Sequence, residues 1–489
     1  MLSARIRNAT FQAYDKLNNG GKPQTHEWTV LASIVLEKKG NLEVVCMATG
    51  TKCVGAKAQS PEGFVVNDCH AEVLCRRSFI HYLIKEIQKH RSGDVDCVFE
   101  PCEGDFHLQV KRDYHFYMYI SQSPCGYGSE YPETNGKRTA MEIHLAKQRN
   151  SKRVHLERKI EDDDDFHHSG AKPIPDSIFD SVCLSTKPGR GDPSRSYSCS
   201  DKLCLWNHLG LQGGLLSSLI SPIYLTGIVI SGCWDEARMK NALADRIEVH
   251  LPPPYHKNNI QLFKDSESVP FSESEVMKRL DGNQKLSACG SAIVWNVHGL
   301  RETLIAGQGV KLGANRKRGI TIKNASAVSP KQLLSFFKEV VQGEDCSKTY
   351  KEIKRERRSY EQAKESLMKE GERTMKSWKR KDRLYYDFLS IVSATNNIEK
   401  YYSSFSISAR IVEATSLQGP KSRMSRQFLD IYKGLAYQLS LFLSRFETHQ
   451  TILRSLSTIQ DKLSCLMIAR IDVFLISWSI SAVSICSID

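Results

Sequence analysis

The sequence predicts an α/β protein built around a central sheet, and three observations carry that prediction. Strand-like and helix-like stretches alternate through residues 28–250, the pattern of a layered α/β domain. Two β-branched apolar runs, TVLASIVL (29–36) and LEVVCMA (42–48), flank EKKGN and read as an antiparallel hairpin. Between residues 70 and 90, Val73, Leu74, Ile80, Leu83, Ile84 and Ile87 recur near helical spacing, with Arg and Lys between them.

The remaining elements follow in order. GTKCVGAKAQSPEGFVVND (50–68) reads as a loop, with Asp68 placed to cap the helix that opens at residue 70. YHFYMYIS (114–121) is a buried strand running into Pro124-Cys125-Gly126. The charged stretch around EDDDDFHH (161–168) reads as a solvated insertion. CSDKLCLWNHLGLQGGLLSSLI (199–220) begins a helix, IYLTGIVIS (223–231) is a strand, and DEARMKNALADRI (235–247) is a further helix. A basic helical stretch spans 350–378. After about residue 390 the chain turns rich in Ser, Ile and Leu, without clear turn punctuation.

Bulk properties narrow the function classes. The chain has 489 residues, of which 40% are hydrophobic, enough for a sizeable core. A formal charge of +13 suits a polyanionic partner such as RNA or DNA. The opening MLSARIRNATFQAYDKLNNGG lacks an apolar signal region, so an intracellular chain with reduced thiols is expected. That makes metal ligation the better use for a few of its 15 cysteines. No uninterrupted apolar run reaches the ~18 residues of a membrane span. VFLISWSISAVSIC (473–486) is short and serine-rich.

The chemistry rests on an ordered constellation. His70-Ala71-Glu72 opens a helix, and Ser123-Pro124-Cys125 follows a strand. Together they match the zinc-deaminase pattern, in which H-x-E is followed by P-C and a later Cys. Catalytic zinc takes three protein ligands and keeps an open position for water, and His plus two thiolates supply the three. The glutamate is not a ligand but reaches the water and passes its proton. Small deaminases carry P-C-x-x-C, whereas Gly128 stands here where the second cysteine would be. The third ligand must come from elsewhere, and Cys199, just before a helix, is the best candidate. Cys204, Cys183, Cys69 and Cys75 are less suited, Cys69 because it adjoins a ligand and points elsewhere.

With NDCHAEVLCRR, SPCG, SCSDKLCLWNHLGLQGGLL and PIYLTGIVI in place, the chain resembles the catalytic domain of the adenosine deaminases acting on RNA. THEWT (25–29) and KPGRGD (187–192) resemble the branch that acts on tRNA, at the adenosine 3′ of the anticodon of alanine tRNA. The resemblance covers roughly residues 10–390. Only about 25 residues precede the domain, too few for a double-stranded-RNA-binding module, which favours the tRNA branch. The resemblance implies a cytidine-deaminase-like three-layer α/β core with a central mixed sheet and a C-terminal helical extension. It implies zinc on His70, Cys125 and Cys199, with Glu72 as proton shuttle. It implies that Thr51 and Lys52 contact the flipped nucleotide, and that Arg190 occupies a loop position that inserts into RNA in the mRNA editors, which carry an acid there.

The same family buries inositol hexakisphosphate. The matching positions are Asn67, Arg76, Arg77, Lys202, Tyr350, Lys354, Tyr360, Lys364 and Trp378, with Lys317 added. Leu205 and Gly214 depart from the family pattern, which has arginine and serine there. The expected organisation is an N-terminal segment (1–27), a deaminase domain (28–390) and a dispensable tail (391–489). Tenancy of the nucleus or cytoplasm is expected, Lys379-Arg380-Lys381 being a weak nuclear signal, and no protein partner is inferred. A cytidine deaminase would use the same metal ligands, but the long gap from Cys125 to Cys199 argues against it. An RNA-binding module without catalysis would have no need of an intact Glu72.

Overall fold

Strands β1 (Leu31–Lys38) and β2 (Asn41–Thr49) form the expected hairpin, pairing from Leu31↔Thr49 to Lys38↔Asn41. Lys39 and Gly40 turn it, both at positive φ (51° and 80°), as a two-residue type I′ connection requires. A computed structural model describes residues 1–102, 108–129, 167–169, 184–187, 194–232, 234–280, 284–314, 319–341, 348–370 and 388. The chain separates into Met1–Ser393 and Ala394–Asp489, and every described residue lies in the first unit.

Six more strands extend the hairpin: β3 (Tyr114–Ile120), β4 (Gly227–Ser231), β5 (Gln261–Asp265), β6 (Ser291–Asn296), β7 (Arg301–Ile305) and β8 (Val310–Lys311). Their order is β5-β4-β3-β1-β2-β6-β7-β8. β3, β4 and β5 run parallel, and every other pairing is antiparallel, so the sheet is mixed.

Both faces of this sheet are covered, which explains why β1 reads as a continuous apolar run rather than an alternating one. Helix α1 (Leu2–Asp15) buries Ile6 and Tyr14 against Leu31, Val35, Met47, Tyr117 and Val229. The Thr10 hydroxyl, buried in that seam, meets the Ser33 hydroxyl at 2.7 Å. Successive strand residues point to opposite faces, so Ala32, Ile34, Ala48, Met118 and Ile120 face the other layer. There they meet Leu74, Phe79 and Leu83 of α2 (Ala71–Arg91). Truncating a residue such as Phe79 to alanine costs about 3–5 kcal/mol.

Four further helices matter below. α3 (Cys199–Leu209) ends at Gly210, whose φ is 74°. α4 (Glu236–Lys240) runs into a π-turn, Asn241–Asp245, where the sequence pattern suggested one plain helix. The basic stretch is broken into α5 (Tyr350–Arg355) and α6 (Arg358–Glu370), separated at Arg357. It is not a solvated helix: Ile353, Tyr360, Ala363 and Leu367 are buried. Among the described residues no helix is long and apolar enough to cross a membrane. The acidic run 161–166, the Lys379–Lys381 triplet and the tail after 390 lie outside the described residues.

Candidate metal centre and active site

Three segments converge, each brought in by local backbone chemistry. The segment 50–70 is a loop only in its middle: Thr51–Cys53 pairs antiparallel with Asp68–His70, Thr51 lying opposite His70. Gly50 makes this possible, because a Cβ there would stand 2.1 Å from the Cys69 carbonyl oxygen. His70 remains extended, and α2 starts at the next residue. β3 ends at Ile120, so Cys125 sits in the turn beyond the strand. Gly126, at φ +94°, lets that turn abut α3; a Cβ would stand 2.3 Å from the Ser198 hydroxyl. Cys199 is the first residue of α3, whose N-terminus Ser198 caps by accepting from the Asp201 amide. The Ser200 amide and hydroxyl both donate to the Cys125 carbonyl, at 3.1 and 2.9 Å, locking the two cysteine segments together.

The result is a donor triangle. His70 Nδ1 lies 3.7 Å from the Cys125 sulfur and 3.6 Å from the Cys199 sulfur. Zinc bonded tetrahedrally to imidazole nitrogen and thiolate sulfur holds such donors roughly 3.6 Å apart. The residues present therefore fit zinc in both donor type and spacing. The other cysteines weighed for the third position do not take part. Cys69 points at the Val66 carbonyl, Cys75 points at the Cys46 carbonyl, and Cys204 lies in the core cluster around Tyr360. Cys183 lies outside the described residues. Glu72 stands in the first turn of α2, two residues after His70, and is only 3% exposed. Burial first, then the nearby Cys125, raises its carboxyl above the usual glutamate value.

Behind the triangle sits a buried polar hub that sequence reasoning missed. Asp68 accepts from the His70 amide and the Cys53 thiol through one oxygen, each at 3.1 Å. Its other oxygen binds the ammoniums of Lys187, at 2.8 Å, and Lys202. The expected cap role of Asp68 is thus wrong. The helix begins three residues later, after an extended His70, and the carboxylate turns to the lysines. Burial alone would raise the Asp68 carboxyl; Lys187 and Lys202 outweigh it and hold it well below the usual range. Lys187 also lies 3.1 Å from the Cys199 sulfur. Burial alone would discharge it, but Asp68 and then Cys199 keep it protonated. Nothing in the sequence marks Lys187, which simply follows the short strand Leu184–Thr186.

The other expected residues divide. The Thr51 hydroxyl beside His70 is buried with no hydrogen-bond partner among the described residues, and half-buried Lys52 follows it. Arg76, Arg77, Tyr350, Lys354 and Tyr360 come together. Arg76 is lowered to about 10 by burial first, with Tyr360 and Arg77 among its neighbours, and Lys354 lies 5.1 Å over the Tyr350 ring. Gly214 faces the same group, since a Cβ there would stand 3.0 Å from the Tyr360 ring. Asn67 adjoins the hub, its side-chain oxygen buried without a partner among the described residues. Leu205 packs into the core instead. Lys364 pairs with Glu361 on its own helix at 3.5 Å. Lys331 was missed: it is buried over the Phe64 and Phe388 rings, and burial lowers it to about 8. It lies three residues from Val328, whose carbonyl accepts from Arg77 at 2.5 Å. Arg190, Lys317 and Trp378 lie outside the described residues.

A mixed α/β sheet that brings one His and two Cys donors to a buried glutamate has the makings of a zinc-dependent nucleobase deaminase. The chain belongs to the adenosine-deaminase (editase) domain family, whose model matches residues 46–382. It is 27% identical to the human protein named tRNA-specific adenosine deaminase 1, over 76% of this chain and 96% of that one. The Drosophila melanogaster protein of the same name is 29% identical over 69% of this chain and 81% of its own length. Drosophila double-stranded RNA-specific editase Adar is 33% identical, but over 50% of this chain and 36% of its own.

Proposed function

We propose that this chain hydrolytically deaminates adenosine to inosine in tRNA, at the adenosine 3′ of the anticodon of alanine tRNA. The observation that carries the reading is the His70–Cys125–Cys199 triangle with Glu72 buried in the adjoining helical turn. Relatives named for tRNA run along most of this chain, which supports the substrate class. The core is read as cytidine-deaminase-like, with α5 and α6 as its C-terminal helical extension.

His70, Cys125 and Cys199 would hold zinc. When bound, the metal supplies a Lewis acid that makes water acidic near neutral pH. Glu72 does the proton work. It takes a proton from the attacking water and delivers it to adenine N1. It then passes the second proton to the amino group as the C6–N bond breaks. Water and adenosine thereby give inosine and ammonia. A carboxyl raised by burial suits a group that must both accept and release a proton. Thr51, with its unpartnered buried hydroxyl, and Lys52 would receive the flipped nucleotide, whose unstacking costs a few kcal/mol. Arg190 would contact the RNA beside it.

The half-buried cations Arg76, Arg77, Lys202 and Lys354 and the buried Lys331, with Tyr350, Tyr360 and Asn67, would hold inositol hexakisphosphate. Lys317, Lys364 and Trp378 complete the set that the family resemblance implies. A cluster of interior cations is costly without anionic charge among them, and the burial-driven drop of Arg76 reflects that cost. The test of the function is inosine mapping of total tRNA incubated with the purified protein. A single inosine beside the alanine anticodon is expected, and no inosine anywhere would refute the reading.

A further inference from the structure

The two cysteines of the triangle lie 74 residues apart in sequence, yet one helix grips the segments that carry both. Near its start, the Arg238 guanidinium donates to the Tyr127 carbonyl at 2.8 Å and lies 5.4 Å over the Tyr127 ring. Asn241 donates its amide to the Tyr127 hydroxyl at 3.0 Å. Tyr127 is two residues beyond Cys125. Five residues further on, Arg246 forms a buried ion pair with Asp201 at 2.8 Å. Asp201 is two residues beyond Cys199. Its other oxygen accepts from the Ser198 hydroxyl at 2.7 Å and the Ser185 amide at 2.9 Å, which fixes the N-terminus of α3 where Cys199 sits.

The π-turn is what lets one helix do this. Its signature bond runs from the Arg246 amide to the Asn241 carbonyl at 3.1 Å. In an α-helix, residues five apart point about 140° away from each other. In a π-turn, with roughly 4.4 residues per turn, they come within about 50°. Asn241 and Arg246 thus face the same side, one toward each cysteine segment. The Cys125 turn and the α3 terminus also bond each other directly, through Ser200, and the helix braces that contact from outside.

We propose that Arg246 and Asn241, carried on this π-turned helix, are positioning residues that set the separation of the Cys125 and Cys199 sulfurs and so retain the metal. The proposal rests on the reading of His70, Cys125 and Cys199 as zinc ligands. Arg246 acts by neutralising Asp201, which would otherwise be a buried carboxylate without a counter-charge in the first turn of α3. Asn241 and Arg238 act by holding Tyr127, which leaves the Cys125 turn no freedom to swing away.

The test uses full-length protein in four variants: Arg246→Ala, Arg246→Lys, Asn241→Ala and Tyr127→Phe, with Cys199→Ala as control. Two readouts do not depend on activity. One is the rate of zinc loss to a chromogenic chelator. The other is the visible absorption of the cobalt-substituted protein, which reports ligand geometry. Zinc loss at least ten-fold faster in Arg246→Ala, three-fold faster in Asn241→Ala and Tyr127→Phe, and intermediate in Arg246→Lys is expected, with a shifted cobalt spectrum. If Arg246→Ala does not fold, the three milder variants decide. Folded variants that release zinc at the wild-type rate with an unchanged cobalt spectrum would overturn the proposal. Zinc retained by Cys199→Ala would overturn the ligand assignment beneath it instead.

Discussion

The Lys187 ammonium lies 3.1 Å from the Cys199 sulfur, fully buried, and shares Asp68 with Lys202. A cation so placed favours the thiolate over the thiol. Lys187→Met keeps most of the volume but strips the charge, leaving Asp68 with one cationic partner, Lys202. Breaking a buried pair costs about 3–5 kcal/mol. Urea denaturation should show a loss of that order, together with less than one zinc per chain. A variant as stable as wild type with full zinc would mean that Lys187 has no hold on the site.

Glu72 and Cys199 should separate cleanly. Glu72→Ala is expected to abolish deamination while zinc stays near one per chain, because the carboxylate lies outside the donor triangle. Cys199→Ala should lose zinc and much of the folded protein, since metal binding is coupled to folding. Metal analysis of both purified variants checks this. Loss of zinc from folded Glu72→Ala would make Glu72 a ligand.

Elements with a local rule were legible in the sequence. The hairpin announced itself through β-branched runs around Lys39-Gly40, and α2 through the spacing of Leu74, Ile80, Leu83 and Ile87. Cys199 could be singled out because it opens a helix, as His70 nearly does. What stayed hidden depends on contacts between distant residues. Asp68 and Lys187 are 119 residues apart, and nothing near either says that they pair. Asp68 even imitated a helix cap, because the three-residue offset to Ala71 is invisible without backbone angles. The π-turn at 241–245 looks like plain helix in the sequence because its apolar residues fit either period. Lys331 sits on an amphipathic helix where a lysine ordinarily faces solvent, so its burial could not be anticipated.

His81 gives a pH signature away from the metal. Its Nδ1 accepts from the Asn296 amide at 3.0 Å, and burial, with Lys85 and His298 adding, lowers it from 6.5 to about 4. A folded value below the unfolded one means that stability is fully present above pH 6.5 and is lost as pH falls toward 4. The shift corresponds to about 3 kcal/mol over that window. Denaturant melts at pH 7 and pH 4 should show the wild type losing this much more than His81→Gln. Equal losses in the two proteins would mean that His81 is free to protonate in the fold.

The polyphosphate reading makes its own demand. At pH 8.5 Lys331 is mostly neutral, given its depressed value of about 8. A polyanion among Arg76, Arg77 and Lys354 would raise that value, so binding should take up a proton. Calorimetric titration with inositol hexakisphosphate, in buffers of different ionisation enthalpy, reads the uptake directly. Lys354→Glu or Lys364→Glu should collapse soluble expression. Both variants soluble and active, with no proton uptake, would leave the cations without an anion.

The substrate is the sharpest test. Conversion of one adenosine beside the anticodon of alanine tRNA is expected, with little action on long duplex RNA. A net charge of +13 suits contacts to the phosphates of a compact folded RNA. A base already unpaired in an anticodon loop costs less to extrude than one stacked in a duplex. Arg190, which the family resemblance sets where the duplex editors carry an acid, would fit a loop target better than a helix to be opened. The relatives named for double-stranded RNA match over only half of this chain, and those named for tRNA over more than two thirds. Alanine tRNA, other tRNAs, a perfect RNA duplex and free adenosine should be assayed side by side, scored by inosine. Inosine formed at least a hundred-fold faster in alanine tRNA than in the duplex is expected. Efficient conversion of the duplex alone would move the chain to the editing of double-stranded RNA. Equal activity on free adenosine would remove RNA from the substrate, and with it any need for Thr51, Lys52 and Arg190 to face a polynucleotide.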